Sequence, residues 1–215
     1  MVMAEDLFSD HSSLQAQWIQ APQSDLRLFP QLFSREESDT FFSQLRDGIN
    51  WQAEKILMYG KPVTVPRLTA WYGEPEAGYC YSNVMHTPLA WTRELLAIKA
   101  RVEQVSAKAY NSVLLNLYRD GQDSVAWHSD DEAELGRNPT IASVSFGAER
   151  TFQMKHRRIP GARLSIPLGH GSCLIMQAET QHHWLHQIPK SKKVRSARIN
   201  LTFRQIYPVD RQASG

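Results

Sequence analysis

SVLLNLYRDGQDSVAWHSD, residues Ser112–Asp130, is the stretch whose reading decides the fold. Two short Val- and Leu-bearing runs flank the turn signal DGQD, and such runs read as strands. The same texture continues towards the C-terminus. TIASVSF, RTFQM, ARLSIPL, SCLIM, HHWLHQI and ARINLTFRQI alternate with the turn signals GRNP, RIPG and LGHGS. That spacing predicts an all-β sandwich or barrel from about Ser112 onward.

Upstream the pattern is helical. In FSREESDTFFSQLRDG, Ser34 is followed three residues later by Glu37, a capping box, with Phe41, Phe42 and Leu45 behind it and Gly48 as a stop. TPLAWTRELLAIKARVEQVSAKAY predicts a second, longer helix with Thr87 as N-cap and Pro88 at its first position. Between them, residues 51–86 are rich in aromatics, Pro and Gly and read as short strands and loops. The expected class is mainly β with flanking helices (α+β), the N-terminal helices packing on a C-terminal β core. Residues 1–30 read as an N-terminal extension, 31–207 as one domain and 208–215 as a tail.

The chain has 215 residues, long enough to bury a core in one domain. Its hydrophobic fraction of 42% and charged fraction of 21% are those of a soluble globular protein. Two cysteines, Cys80 and Cys173, make neither a disulfide framework nor a zinc cluster, so a reducing cytosol is expected. The start MVMAEDLFSDHSS has no basic, apolar leader, and no later run approaches a membrane span. The expected protein is neither secreted nor membrane-bound. The net charge of +2 hides a division: from Arg150 to Arg211 there are 12 Lys and Arg against two acids, Glu179 and Asp210. A basic C-terminal part points to a polyanionic partner or to a solvated basic surface.

His128 and Asp130 stand two apart, so in a strand one imidazole and one carboxylate project to the same side. A third ligand from a distant strand would complete a two-histidine, one-carboxylate triad, typical of non-haem Fe(II) oxygenases; taken alone, His-x-Asp reads more often as a surface turn. TQHHWLHQIP offers His182, His183 and His186. In an extended run His182 and His186 share a face and His183 does not, so alternation disfavours His183 and leaves the other two unresolved. In ARINLTFRQI, Arg198, Asn200, Thr202 and Arg204 alternate with Ile199, Leu201 and Phe203. If the apolar face is core, the polar face meets water, as on an ordinary half-exposed strand, or a ligand such as a dicarboxylate clamped by the two guanidinium forks. Asn116 and Tyr118 share a face upstream and add hydrogen bonds to the same ligand.

NLYRDG, WHSDDEAELG, IASVSFGA, HGSCLIM, WLHQIPK and RINLTFR, with VPRLTAWYG upstream, resemble in order the AlkB family of Fe(II)- and 2-oxoglutarate-dependent dioxygenases that repair alkylated nucleic-acid bases. The likeness covers roughly residues 50–207 and is closest to the branch of the human repair demethylases. It implies a double-stranded β-helix, or jelly roll, with a nucleotide-recognition lid at about residues 51–86. It implies iron ligands His128, Asp130 and His186, and a 2-oxoglutarate site of Arg198 and Arg204 with Asn116, Tyr118, Asn200 and Thr202. It further implies oxidative demethylation of N1-methyladenine and N3-methylcytosine in single- or double-stranded DNA, and in RNA, with molecular oxygen consumed and formaldehyde and succinate released. Asp131 matches an acid that touches the damaged base, and Tyr79 and Tyr81 match aromatics of the base pocket. Trp51 is a further candidate for stacking. Tyr59 sits where a relative carries a base-replacing finger. Lys61, Arg67, Arg157 and Arg158 are candidates for the nucleic-acid backbone. A monomer in the cytoplasm, or in the nucleus of a eukaryote, is expected. The other readings are the same chemistry on a protein or small molecule, and a jelly-roll binding module without catalysis.

Overall fold

The computed structural model describes residues 15–58, 61–81 and 84–207. Its strands are β1 (Gln17–Ile19), β2 (Asp25–Phe29), β3 (Lys55–Met58), β4 (Lys61–Thr64), β5 (Leu68–Gly73), β6 (Tyr79–Tyr81), β7 (Val84–His86), β8 (Ser112–Tyr118), β9 (Val125–His128), β10 (Ile141–Gly147), β11 (Arg150–His156), β12 (Arg163–Leu168), β13 (Ser172–Gln177), β14 (Trp184–Ile188) and β15 (Arg198–Arg204). The helices are α1 (Arg35–Gly48), α2 (Arg93–Ser106) and the single turn α3 (Thr180–His183).

The last eight strands form two facing sheets. One runs β13-β10-β15-β8, extended by β2 and β1 on one side and by β5 on the other; the second runs β12-β11-β14-β9. Every ladder in both is antiparallel. Two four-stranded sheets with this interleaved order are a jelly roll, as the family resemblance implies.

Alternation along β15 separates two cores. Ile199, Leu201 and Phe203 are fully buried beneath Leu45 of α1 and Leu95, Ile98 and Val102 of α2. The opposite side of the strand faces the second sheet. There Leu174, Met176, Phe152, Met154, Trp184 and Ile188 fill the space between the layers. Thus the helices cover one face of the large sheet, and the other face is free to build a site.

Ser34 caps α1 with both bonds of the capping box in place, and the helix runs through Gly48 to a C-cap at Ile49. α2 starts later than its sequence signal. Thr92, not Thr87, is its N-cap, accepting the Leu95 N–H. The backbone of Leu89 is instead bound to β5, donating to Trp71 O and accepting from Gly73 N, both at 2.9 Å. Sheet pairing therefore holds the Thr-Pro segment extended and delays the helix by one turn.

The described part of 51–86 holds short strands, as the sequence predicts. The hairpins β3–β4 and β6–β7 flank β5, which pairs with β8 in the large sheet. Residues 17–29 do not stand apart as an extension: β2 pairs with β13 along its whole length. Residues 208–215 lie outside the described residues.

Candidate metal and co-substrate site

His128 closes β9 and His186 stands in the middle of β14, and the two are direct cross-strand partners. Their rings lie 4.2 Å apart. Asp130 follows two residues after His128, and its Oδ1 is 4.0 Å from His128 Nε2. One ligand atom from each of the three residues lies within 4.8 Å of the others. Antiparallel pairing thus gathers three potential ligands separated in sequence by up to 58 positions.

Each ligand is oriented by its surroundings. The register of β9 against β14 shifts between His186 and Ile188. Ala126 lies in this irregular stretch, and His128 Nδ1 donates to its carbonyl at 2.8 Å. This bond protonates Nδ1 and leaves the Nε2 lone pair for a metal. Asp130 is 3% exposed. Burial opposes its charge, but Arg204 and the two imidazoles outweigh burial and hold the carboxyl below the usual range. Arg204 Nη2 donates to Asp130 Oδ1 at 2.8 Å. His186 stacks on Phe152, ring centroids 5.0 Å apart. Burial pushes its imidazole down to about 3, against the pull of Asp130, so the ring is neutral, as a ligand must be. Its Nδ1 is buried without a hydrogen-bond partner.

The three residues open onto a cavity that is also lined by Arg67, Asn116, Tyr118, Arg198, Asn200 and Thr202. Arg198 is fully buried. It donates from Nη2 to Ser145 Oγ and lies 5.2 Å over the Tyr118 ring, while its Nε and Nη1 have no partner among the described residues. Burial pushes it down to about 10, with Tyr118 acting in the opposite direction. A buried guanidinium without a carboxylate is costly, and the arrangement suits an anionic ligand. Asn200 is committed to the frame, donating to Ser143 Oγ and Val144 O, and Thr202 donates to Asn200 Oδ1.

The expected substrate contacts separate into groups. Arg67 points into the cavity rather than outward, its Nε donating to Asn116 Oδ1 at 2.6 Å. Trp51 does not line this cavity; it packs against the helix-side core and donates to Arg46 O. Asp131 is exposed beside Asp130, and Arg157 bridges it to Ser129. Arg158 is exposed in the β11–β12 loop. Tyr59 lies outside the described residues, as do the side chains of Lys61, Tyr79 and Tyr81, whose backbones fall in β4 and β6.

The two other histidines of TQHHWLHQIP are elsewhere. Thr180–His183 is a helical turn, so the extended phase begins only at Trp184. His182 is exposed and is bound through Nε2 to Arg137 O and Asn138 Oδ1. His183 faces Glu179 and stacks on His156. Several residues of the site were not anticipated. Arg150 donates to the carbonyls of Asp120, Asp123 and Pro189, and its guanidinium lies 5.5 Å from the Tyr118 ring centroid. Ser143 and Ser145 carry the polar face of β15. Their signal is the alternation of Ser with Ala, Val and Phe in IASVSF, which mirrors RINLTFR.

A jelly roll with two histidines and a carboxylate facing an arginine-lined cavity defines a mononuclear metal oxygenase. Residues 25–204 match the 2OG-Fe(II) oxygenase superfamily. The chain is 42% identical over 197 residues to alpha-ketoglutarate-dependent dioxygenase alkB homolog 3 of Rattus norvegicus, covering 87% of this chain and 66% of that one. Against the Homo sapiens homologue it is 43% identical over 195 residues, 86% of this chain and 68% of the relative. DNA oxidative demethylase ALKBH2 of Homo sapiens is 38% identical over 185 residues, 81% of this chain and 71% of that one. The chain therefore belongs to the AlkB family of 2-oxoglutarate- and Fe(II)-dependent oxygenases. It spans about two thirds of the length of the first of these relatives. A solved structure of OsALKBH1 shares the fold, with a TM-score of 0.62 and 17% identity over 89% of this chain and 100% of that one.

The family's cofactors are Fe(II), 2-oxoglutarate and oxygen, and the residues present fit them. The orphaned His186 Nδ1, the Nδ1-protonated His128 and the ionised Asp130 suit a divalent cation. The unpartnered Arg198 donors suit a carboxylate. No described helix is long and apolar enough to cross a membrane.

Proposed function

We propose that this protein repairs alkylated DNA by oxidative demethylation of N1-methyladenine and N3-methylcytosine, releasing formaldehyde and succinate. The observation that carries the reading is the single cavity shared by the His128–Asp130–His186 cluster and the unpaired Arg198. The names of the relatives, dioxygenases and DNA oxidative demethylases, supply the substrate class.

His128, Asp130 and His186 would hold Fe(II), and Arg198, with Asn116, Tyr118 and Arg204, would hold 2-oxoglutarate. Bound together with oxygen, these groups supply the oxidising power for attack on an N-methyl group. Asn200 and Thr202 act one step back, bracing Ser143 and the β15–β10 pairing. Arg204 holds Asp130 ionised and fixed in rotamer. Asp130, His186 and Arg198 are buried, whereas His128 stands on the open side of the site. Asp131, exposed beside Asp130, is the acid that would face the cationic base, and Arg157, Arg158 and Lys61 supply charge for phosphates. Tyr79 and Tyr81 are the aromatics for stacking, and Tyr59 occupies the sequence position of a relative's base-replacing finger. Alkylated bases that have lost a pairing position are cheap to flip. The protein acts as a monomer in the cytoplasm or nucleus, on single- or double-stranded DNA and on RNA.

The test is formaldehyde release from oligonucleotides containing either methylated base, in single- and double-stranded DNA and in RNA, with Fe(II) and 2-oxoglutarate. Turnover on at least one is expected. No turnover on any of them, together with succinate formation on a protein or small molecule, overturns the substrate assignment.

A further inference from the structure

TQHHWLHQIP contains another buried polar group besides its metal-ligand histidine. Gln181 is 1% exposed. Its Oε1 accepts the backbone N–H of Asp130 at 3.0 Å, across 51 residues of sequence. The orientation of the amide is unambiguous, because a backbone N–H faces the carbonyl oxygen and not the NH2 group. The Nε2 end has only Met176 Sδ beside it, at 3.5 Å. A thioether is a weak acceptor, so that contact does not account for a carboxamide at this place. An apolar side chain of the same length would pack there as well. What a glutamine adds is the acceptor for Asp130.

The element carrying Gln181 is itself anchored. Thr180 Oγ1 donates to Gln177 O and accepts from Asp25 N, which ties α3 to β13 and β2. Trp184 Nε1 donates to Pro22 O at 2.9 Å at the other end of the turn. From α3 the chain passes directly into β14, where His186 stands five residues after Gln181. Asp130, by contrast, lies beyond the last paired residue of β9. No ladder bond holds its backbone. Its carboxylate is fixed by Arg204 and its main chain by Gln181, so one carboxamide joins the two ligand-bearing segments.

We infer that Gln181 is a positioning residue of the metal site: it fixes the backbone of Asp130 so that the carboxylate faces the two imidazoles before any cation arrives. The inference rests on the metal-site reading above. A ligand held in place needs no ordering when the cation binds, and losing such a support typically weakens metal affinity about 10–100-fold.

The experiment is titration of the full chain with Mn(II) alone, without 2-oxoglutarate or nucleic acid, following free Mn(II) by electron paramagnetic resonance. Gln181→Met keeps the length and removes the acceptor, and is expected to bind Mn(II) about 10–100-fold more weakly. Thr180→Val loosens α3 but leaves the Asp130 contact. It is expected to lower the melting temperature while keeping Mn(II) affinity near wild type, a split that a purely structural role of α3 does not produce. Asp130→Ala separates the two readings. If it binds Mn(II) like wild type, the metal-site reading is wrong and the inference falls with it. If it loses Mn(II) while Gln181→Met keeps wild-type affinity, only the role of Gln181 is overturned. Should Gln181→Met not fold, amide hydrogen exchange in the metal-free wild type decides: protection of the Asp130 N–H supports the inference, and free exchange overturns it.

Discussion

Among the three histidines of TQHHWLHQIP, position in the fold and not proximity in sequence selects the ligand. His186 is buried opposite His128, whereas His182 is outside and hydrogen-bonded to the Arg137 loop. His186→Ala should therefore abolish iron-dependent formaldehyde release, and His182→Ala should retain it; the reverse pattern refutes the ligand set. Arg198 is the second decisive residue. Arg198→Met removes the buried cation and leaves a carboxylate unpaired, a loss of about 2 kcal/mol or more, or roughly thirtyfold. The KM for 2-oxoglutarate should rise by at least that factor, while the KM for the oligonucleotide stays unchanged. The polar face of β15 was legible from period-two alternation; the His128–Asp130 pair was marked by its spacing, although β9 ends at His128. The choice of His186 was not, because the helical turn Thr180–His183 resets the phase within the segment and only a resemblance pointed past it. Gln181 and Arg150 were invisible for a different reason. Each acts through backbone groups of distant segments, and side-chain type alone does not announce such partners.

At the scale of elements, the turn between β8 and β9 shows how charge supports geometry. Asp123 accepts from the Arg119 side chain at 2.8 and 2.9 Å and from its backbone N–H at 2.9 Å. Burial pushes the Asp123 carboxyl up, but the bonds from Arg119 outweigh it and the carboxyl lies below its usual range. The folded state therefore takes up this proton less readily than the unfolded chain. The stabilisation is complete above the unfolded value, near 3.9, and is lost as pH falls through the lower folded value. Asp123→Asn should thus lower the urea midpoint at pH 7 and narrow its gap to wild type between about pH 5 and pH 3. An equal loss at both ends of that range would falsify the account. The β10–β11 turn depends on shape instead. Gly147 has φ +88°, and an added Cβ would lie 2.4 Å from Ala197 O and 2.6 Å from the Phe42 ring. Gly147→Ala should cost about 1–3 kcal/mol in urea unfolding. Because Gly147 is in register with Arg198, it should also raise the KM for 2-oxoglutarate. The capping box of α1 was readable because it is local. The start of α2 was not, since Leu89 answers to β5 and not to its neighbours in sequence.

For the whole molecule, the metal ligands exist as a set only in the folded chain, so a cation binds the native state and not the unfolded one. Mn(II) at a hundred times its dissociation constant adds about 2.7 kcal/mol. For a protein of this size that is roughly 5–10 °C in melting temperature. Chelation should reverse the rise, and Asp130→Ala should show none; a rise that survives Asp130→Ala places the cation elsewhere. The order of strands carries another implication. β15, the last strand to be synthesised of those described, is not at an edge but lies between β10 and β8. Until it emerges from the ribosome, those two strands have bare hydrogen-bonding edges and the helix-side core lacks Ile199, Leu201 and Phe203. Unpaired edges of this kind recruit other chains. A polypeptide ending before Arg198 should therefore associate with other chains more readily than the full chain, which light scattering of the truncated protein would check. The step that closes the large sheet is also the step that delivers both arginines to the cavity, so quality control of folding and assembly of the catalytic pocket are a single event.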